Sequence, residues 1–288
     1  MHFSIEQVLW AILLAAHLTL LIVLMGRERA ARFRWFTAYI ALSAIALIAN
    51  HLLHGKLTTI AFYWQNYTLL GLQAIIALFM LGELTKQTFS TGKSSVTAKP
   101  NLYIGWATIL VALSAVAVWQ WGPWPTLQAL KADPQQLRLL IVILIGMKGQ
   151  LGTMILIVLV ALIMRIAGPR FGSGWRSHPQ QIALGLSTSA LAFLAVQATN
   201  DILSHKIHPK TREEYQHAVR LITHLENGRT VVWIIALVWI IYWVWRDEPG
   251  SGAQSASAAI PVGAGPITLE GSAANPLPID EDPTGSRP

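Results

Sequence analysis

The sequence predicts an all-α fold, a bundle of seven transmembrane helices with the N-terminus outside. Three observations carry this expectation. Apolar runs of about 20 residues, the length that crosses a bilayer at 1.5 Å per residue, recur along the 288-residue chain. Charged residues make up 12% of it, about half the roughly 25% usual for a soluble domain. Four arginines, Arg27, Arg29, Arg32 and Arg34, follow the first apolar run at once, and such clusters are held on the cytoplasmic side. A β-barrel would alternate apolar and polar residues, whereas these runs are continuous.

Residues 5–26 form the first expected span. It lacks a basic leading end and a small-x-small site, and its apolar core is too long for a cleavable signal peptide. Residues 35–53 return outward. Residues 60–83 open with Phe62, Tyr63, Trp64 and Tyr67, rings that suit a membrane interface. The next loop carries Lys86, Lys93 and Lys99. Residues 102–121 are the fourth span, ended by Gly122, Pro123 and Pro125, with Trp119, Trp121 and Trp124 at the outer interface. Residues 137–168 are the fifth and longest apolar run, followed on the inner side by Arg170 and Arg176. Residues 182–205 are the sixth and 231–245 the seventh, closed by Trp243, Trp245 and Arg246.

Between the last two spans, Thr211 and Glu214 form a capping-box pattern. Tyr215, Ala218, Val219, Ile222 and Leu225 follow at helical spacing, and Asn227-Gly228 offers a stop. A separate amphipathic helix over 211–227 on the outer surface is therefore expected. Residues 247–288 are rich in Gly, Pro, Ala and Ser without apolar period and read as a disordered cytoplasmic tail.

The net charge is +7. Its basic residues are split among short loops and form no stripe interleaved with aromatics, so the partner they imply is the anionic lipid bilayer and not nucleic acid. The chain has no cysteine, which excludes disulfides, thiolate metal sites, iron–sulfur clusters and a cysteine nucleophile.

Lys148 lies near the middle of the fifth span, where a lysine costs roughly 2.5–3.5 kcal/mol on insertion scales. Gly146, Gly149 and Gly152 flank it at a spacing of three, a face that allows close helix approach. Two readings stay open. Lys148 snorkels or bonds backbone carbonyls in the bundle, or it belongs to a ligand or ion pathway. That pathway would use Gln73, Gln150 and Gln197 as polar neighbours, with Asp201 toward the outer end of the sixth span. A retinal Schiff base does not fit, because the last span has no lysine and all fourteen acidic residues lie in loops, in the tail or near span ends. The same lack weakens a proton pump or cation carrier; an anion site needs no carboxylate.

His51 and His54 share a helix face, as do Asp201 and His205. Such pairs suit zinc or pH sensing, but neither follows HExxH. His17 is the one mid-span histidine, and haem would need two facing ones. Gly92-Lys93-Ser94 lacks the leading glycine of a P-loop, and Asn66-Tyr67-Thr68 is a glycosylation triplet inside a span. No nucleophile–base arrangement supports an enzyme, and no cofactor or metal site is expected.

Leu81-Gly82-Glu83, Phe171-Gly-Ser-Gly-Trp175-Arg176 before Ile182-Ala-Leu-Gly185, and Trp239-Ile-Ile-Tyr242 before Glu248-Pro249 resemble a family of uncharacterised bacterial polytopic membrane proteins of unknown function. The likeness covers most of residues 27–249. It implies a six-to-seven-span protein of the bacterial inner membrane. That family often carries a carboxylate in the outer half of the third span, where this chain reads Leu70-Gly71-Leu72-Gln73. The function expected is a sensor or accessory component of unassigned activity. The alternatives are a small transporter or channel for an anionic solute using Lys148, and a structural subunit that meets other membrane subunits.

Overall fold

A computed structural model describes residues 4–90, 100–121, 134–171, 175–206 and 211–247. The described residues form seven α-helices and one short 3-10 turn at Gly168–Phe171, with no strand. The helices are α1 (Ile5–Gly26), α2 (Arg34–Leu53), α3 (Thr59–Ser90), α4 (Pro100–Gln120), α5 (Pro134–Ala167), α6 (His178–Lys206) and α7 (Arg212–Trp245). Among the residues whose side chains are described, α1, α2, α3, α5, α6 and α7 are long and apolar enough to cross a membrane. In α4, a helix of 21 residues, the stretch with described side chains is Ile109–Gln120, and it is apolar. Apart from Asp247, the tail expected over 247–288 lies outside the described residues.

Local chemistry sets the helix ends. Ser4 and Gln7 close a capping box at the start of α1, with bonds of 3.2 and 3.3 Å. Glu28 ends that helix with φ 55°. The amide of Glu28 donates to the Met25 carbonyl, 3.0 Å away, and that of Arg29 to Leu24, 2.9 Å away. This is a Schellman pattern, which satisfies the last carbonyls of a helix and turns the chain sharply. Gly55, at φ 74°, supplies the left-handed residue between α2 and α3. The α2 N-cap residue, Phe33, has no capping side chain. Glu83 of α3 takes over: its carboxylate accepts the amides of Arg34, Trp35 and Phe36 at 2.8, 3.1 and 3.2 Å. A carboxylate is favoured there because a helix N-terminus carries partial positive charge.

The expected break at Asn227-Gly228 is corrected, because α7 runs unbroken from Arg212 to Trp245. The Thr211–Glu214 capping box does start it, but nothing ends it midway. Glu226 bridges the Asn-Gly step, pairing with Arg229 at 2.8 Å and accepting the Thr230 hydroxyl at 3.0 Å. A stop beside the apolar run would also leave carbonyls without water or partners. Thus 211–227 and 231–245 are two stretches of one helix, not a surface helix followed by a span.

Six helices close a ring. Helix α1 packs on α2 and α7, α2 on α3, α3 on α5, α5 on α6, and α6 on α7. Helix α4 stands outside it and, among the described residues, packs on α5 alone. The ring's outer surface is apolar and exposed, as at Ile22, Ile45, Ile75, Ile145, Leu191 and Ile235, which suits lipid contact and not water. One end of the bundle, where α1 ends, carries the arginine loop; we call it the arginine end. Toward it the ring interior is filled by Leu20, Leu24, Phe36, Ile40, Met80, Leu84, Met164, Ile182, Leu237 and Ile240, all buried. The opposite half is different.

Candidate functional site

In that half, where α1 begins and α2 ends, the ring lines a partly open cavity of about 260 Å³. All six ring helices line it, and no described residue of α4 does. Its wall includes His17 from α1, Tyr39, Ser43 and Asn50 from α2, and Asn66 and Gln73 from α3. Gln150 comes from α5, Ser189 and Phe193 from α6, and Arg229, Thr230 and Trp233 from α7. Apolar Leu13, Met154, Ile157 and Leu186 complete the deeper wall, against the filled half.

The polar groups are held by bonds along and between helices. Ser43 donates to the Tyr39 carbonyl at 2.8 Å. Gln65 donates to Asn50 at 3.2 Å, and Asn50 to Asn66 at 3.3 Å, so an amide chain ties α2 to α3. Trp10 Nε1 donates to the Leu47 carbonyl at 3.3 Å, and its ring stacks on His51 at 4.0 Å, tying α1 to α2. Arg229 lies over the Phe193 ring at 5.3 Å and pairs with Glu226. No carboxylate lines the cavity among the described residues.

His17 is the one histidine among the described residues of the wall. It is 1% exposed. Its Nδ1 meets the Leu13 carbonyl at 2.8 Å, so Nδ1 carries the proton there. Nε2 is buried and without a partner among the described residues. The Trp233 ring stands edge-on to it at 5.8 Å. A buried polar group without a partner costs about 1–3 kcal/mol, and a bound solute or water offsets that cost.

The five residues of the pathway reading separate here. Gln73 and Gln150 line the cavity. Lys148 is not on its wall. Its ammonium donates to the carbonyls of Val118, at 3.5 Å, and Trp121. These are carbonyls at the C-terminus of α4, where a helix carries partial negative charge and lacks its own donors. Lys148 therefore fastens α4 to the ring. Gln197 and Asp201 lie further along α6 and are not on the wall either. The three glycines split as well: a Cβ at Gly146 would lie 2.9 Å from the Tyr67 carbonyl oxygen of α3, one at Gly149 3.5 Å from Ala74 of α3, and one at Gly152 3.2 Å from Val118 of α4.

The sequence left Ser43, Asn50, Ser189, Arg229 and Thr230 unnoticed as a set. Each is an ordinary polar residue in its own helix, and only the ring brings them together. One signal was available: Asn50, Asn66 and Gln73 are amides inside apolar runs, where water cannot serve them. Of the histidine pairs, His51 stacks on Trp10 and His54 meets Phe62 edge-on at 5.8 Å; the side chain of His205 lies outside the described residues. Among the described residues no three His, Asp or Glu side chains gather as a metal site would need.

No family model, no curated protein and no solved structure matches the chain. The likeness to bacterial polytopic proteins thus gains no support from them, and the multi-pass helical architecture rests on the chain's own residues.

Proposed function

We propose that the protein is a multi-pass membrane protein, N-terminus outside, whose ring cavity binds a small anionic or strongly polar solute, and that it serves as a sensor or accessory component without catalysis. One observation carries this: a cavity with amides, hydroxyls, an arginine and an unpartnered histidine nitrogen lies inside an otherwise apolar bundle and stops at a packed apolar half. Its volume is just under the roughly 300–1,000 Å³ of sites for drug-sized ligands, which suits a small solute. Arg229 brings a guanidinium to the wall, where Glu226 holds it at 2.8 Å, and no carboxylate lines the cavity among the described residues. The packed half favours a receptor over a conduit, since a through-channel would cross Leu24, Ile40, Met80 and Leu237. The bacterial inner membrane is the location the family resemblance implies.

The absence of cysteine makes the test clean. Ser43→Cys and Ser189→Cys should react with a small, charged, water-soluble thiol reagent applied from the N-terminal side, and Leu237→Cys should not. Small carboxylates and inorganic phosphate should then be screened for protection of those cysteines and for thermal stabilisation. A protecting anion should lose its effect in Arg229→Gln. Unreactive cysteines at both cavity positions would refute the reading.

A further inference from the structure

At the arginine end, a groove of about 500 Å³ is lined by Trp175 and Arg176, just before α6, and by Trp243, Arg246 and Asp247 from the end of α7. It is separate from the ring cavity and shares no residue with it. Its cations are held on aromatic rings. Arg176 and Arg165 each lie against Trp175, at 5.4 and 5.3 Å, and Arg246 lies 4.5 Å from the Tyr242 ring. Such stacking orients a guanidinium and leaves its N–H groups available for an oxyanion.

Charge balance in the groove is the second observation. Among the described residues, neither Arg176 nor Arg246 has an ion-pair partner. Asp247, the one acid among the described residues of the groove, is engaged from the neighbouring loop by Arg27 at 3.4 Å and Arg29 at 3.7 Å. Arg29 also donates to the Arg246 carbonyl at 2.7 Å, which fixes the end of α7 beside the groove. Among the described residues, two cations therefore face an opening whose acid already meets two other arginines.

Position in the membrane is the third. Trp175 is 48% exposed and Tyr242 and Trp245 are exposed at the same end, as interfacial aromatic rings are. Further from that end α6 exposes Leu184 and α7 exposes Trp239, apolar surface on which acyl chains can lie. We propose that this groove binds the headgroup of an anionic phospholipid, its phosphodiester held by Arg176 and Arg246 and its chains against α6 and α7.

The test uses the purified full chain, delipidated and then given phosphatidylglycerol or phosphatidylcholine of identical acyl chains, with retained lipid read by native mass spectrometry. Two surface arginines acting on an anionic headgroup give a preference of roughly 30-fold, about 5-fold from each. The expected result is one phosphatidylglycerol retained over phosphatidylcholine by about that factor, lost in Arg176→Gln/Arg246→Gln and kept in Arg220→Gln at the other end. Added salt should weaken the preference. Equal retention of the two lipids, or an unchanged preference in the double variant, overturns the proposal. Displacement of the lipid by an equal concentration of inorganic phosphate overturns the lipid assignment in favour of a free-phosphate site. If the double variant does not fold, the wild-type ratio alone decides.

Discussion

Replacing the three glycines of α5 one at a time with alanine tests how closely the ring is packed. A Cβ at residue 146 would lie 2.9 Å from the Tyr67 carbonyl oxygen and 3.2 Å from its ring. The oxygen belongs to α3 backbone, so relief requires the two helices to separate by about half an ångström. Overpacking of this kind costs about 1–3 kcal/mol. The gain from alanine over glycine in a helix is about 1 kcal/mol, so Gly146→Ala should be destabilising by up to about 2 kcal/mol. At 149 the added methyl meets Ala74 at 3.5 Å, an ordinary contact. Only the propensity gain remains there, and Gly149→Ala should be stabilising by up to about 1 kcal/mol. At 152 the neighbour is a methyl of Val118, 3.2 Å away on the peripheral α4, and a small rotation absorbs it, leaving a near-neutral change. Detergent-solubilised variants, unfolded by heat or by sodium dodecyl sulfate and followed by circular dichroism, should rank 149, 152, 146 from most to least stable. A Gly146→Ala protein as stable as Gly149→Ala would refute the close α3–α5 approach.

Two further changes probe how helices are fastened. Lys148→Met should leave the ring and the thiol reactivity of Ser43→Cys unchanged while amide exchange quickens in the last turn of α4, because the ammonium holds that helix's terminal carbonyls; loss of cavity reactivity would return Lys148 to the site. Glu83→Ala should lower stability by about 1–2 kcal/mol, the range of a lost helix cap, with faster exchange at Arg34, Trp35 and Phe36. Glu83→Gln should lose less, since its carbonyl still accepts one amide. Equal stability of Glu83→Ala and the native chain in thermal unfolding would show that the cap in trans contributes nothing.

What could be read from the chain alone was what is encoded locally. Apolar runs and capping residues act within one helix, so the six span-like helices and the Thr211 capping box were legible. The end at Asn227-Gly228 was misread because a stop dipeptide acts only where the flanking helix has somewhere else to put its backbone groups; here Glu226 and Thr230 hold both sides together. Lys148 could be flagged as an expensive residue, but nothing local distinguishes a carbonyl at the end of α4 from a solute as its partner. The cavity was the least legible feature. Asn50, Gln73, Gln150 and Arg229 lie far apart in sequence, and they become one site only because α5 packs on α3 and α7 returns to α1, leaving α4 outside. Sequence by itself determined the helices and their apolar character, since hydrogen bonding and burial in lipid are satisfied residue by residue. The tertiary structure alone decided which faces meet, because that depends on side-chain packing between helices, as where the partly buried Lys148 meets the end of α4.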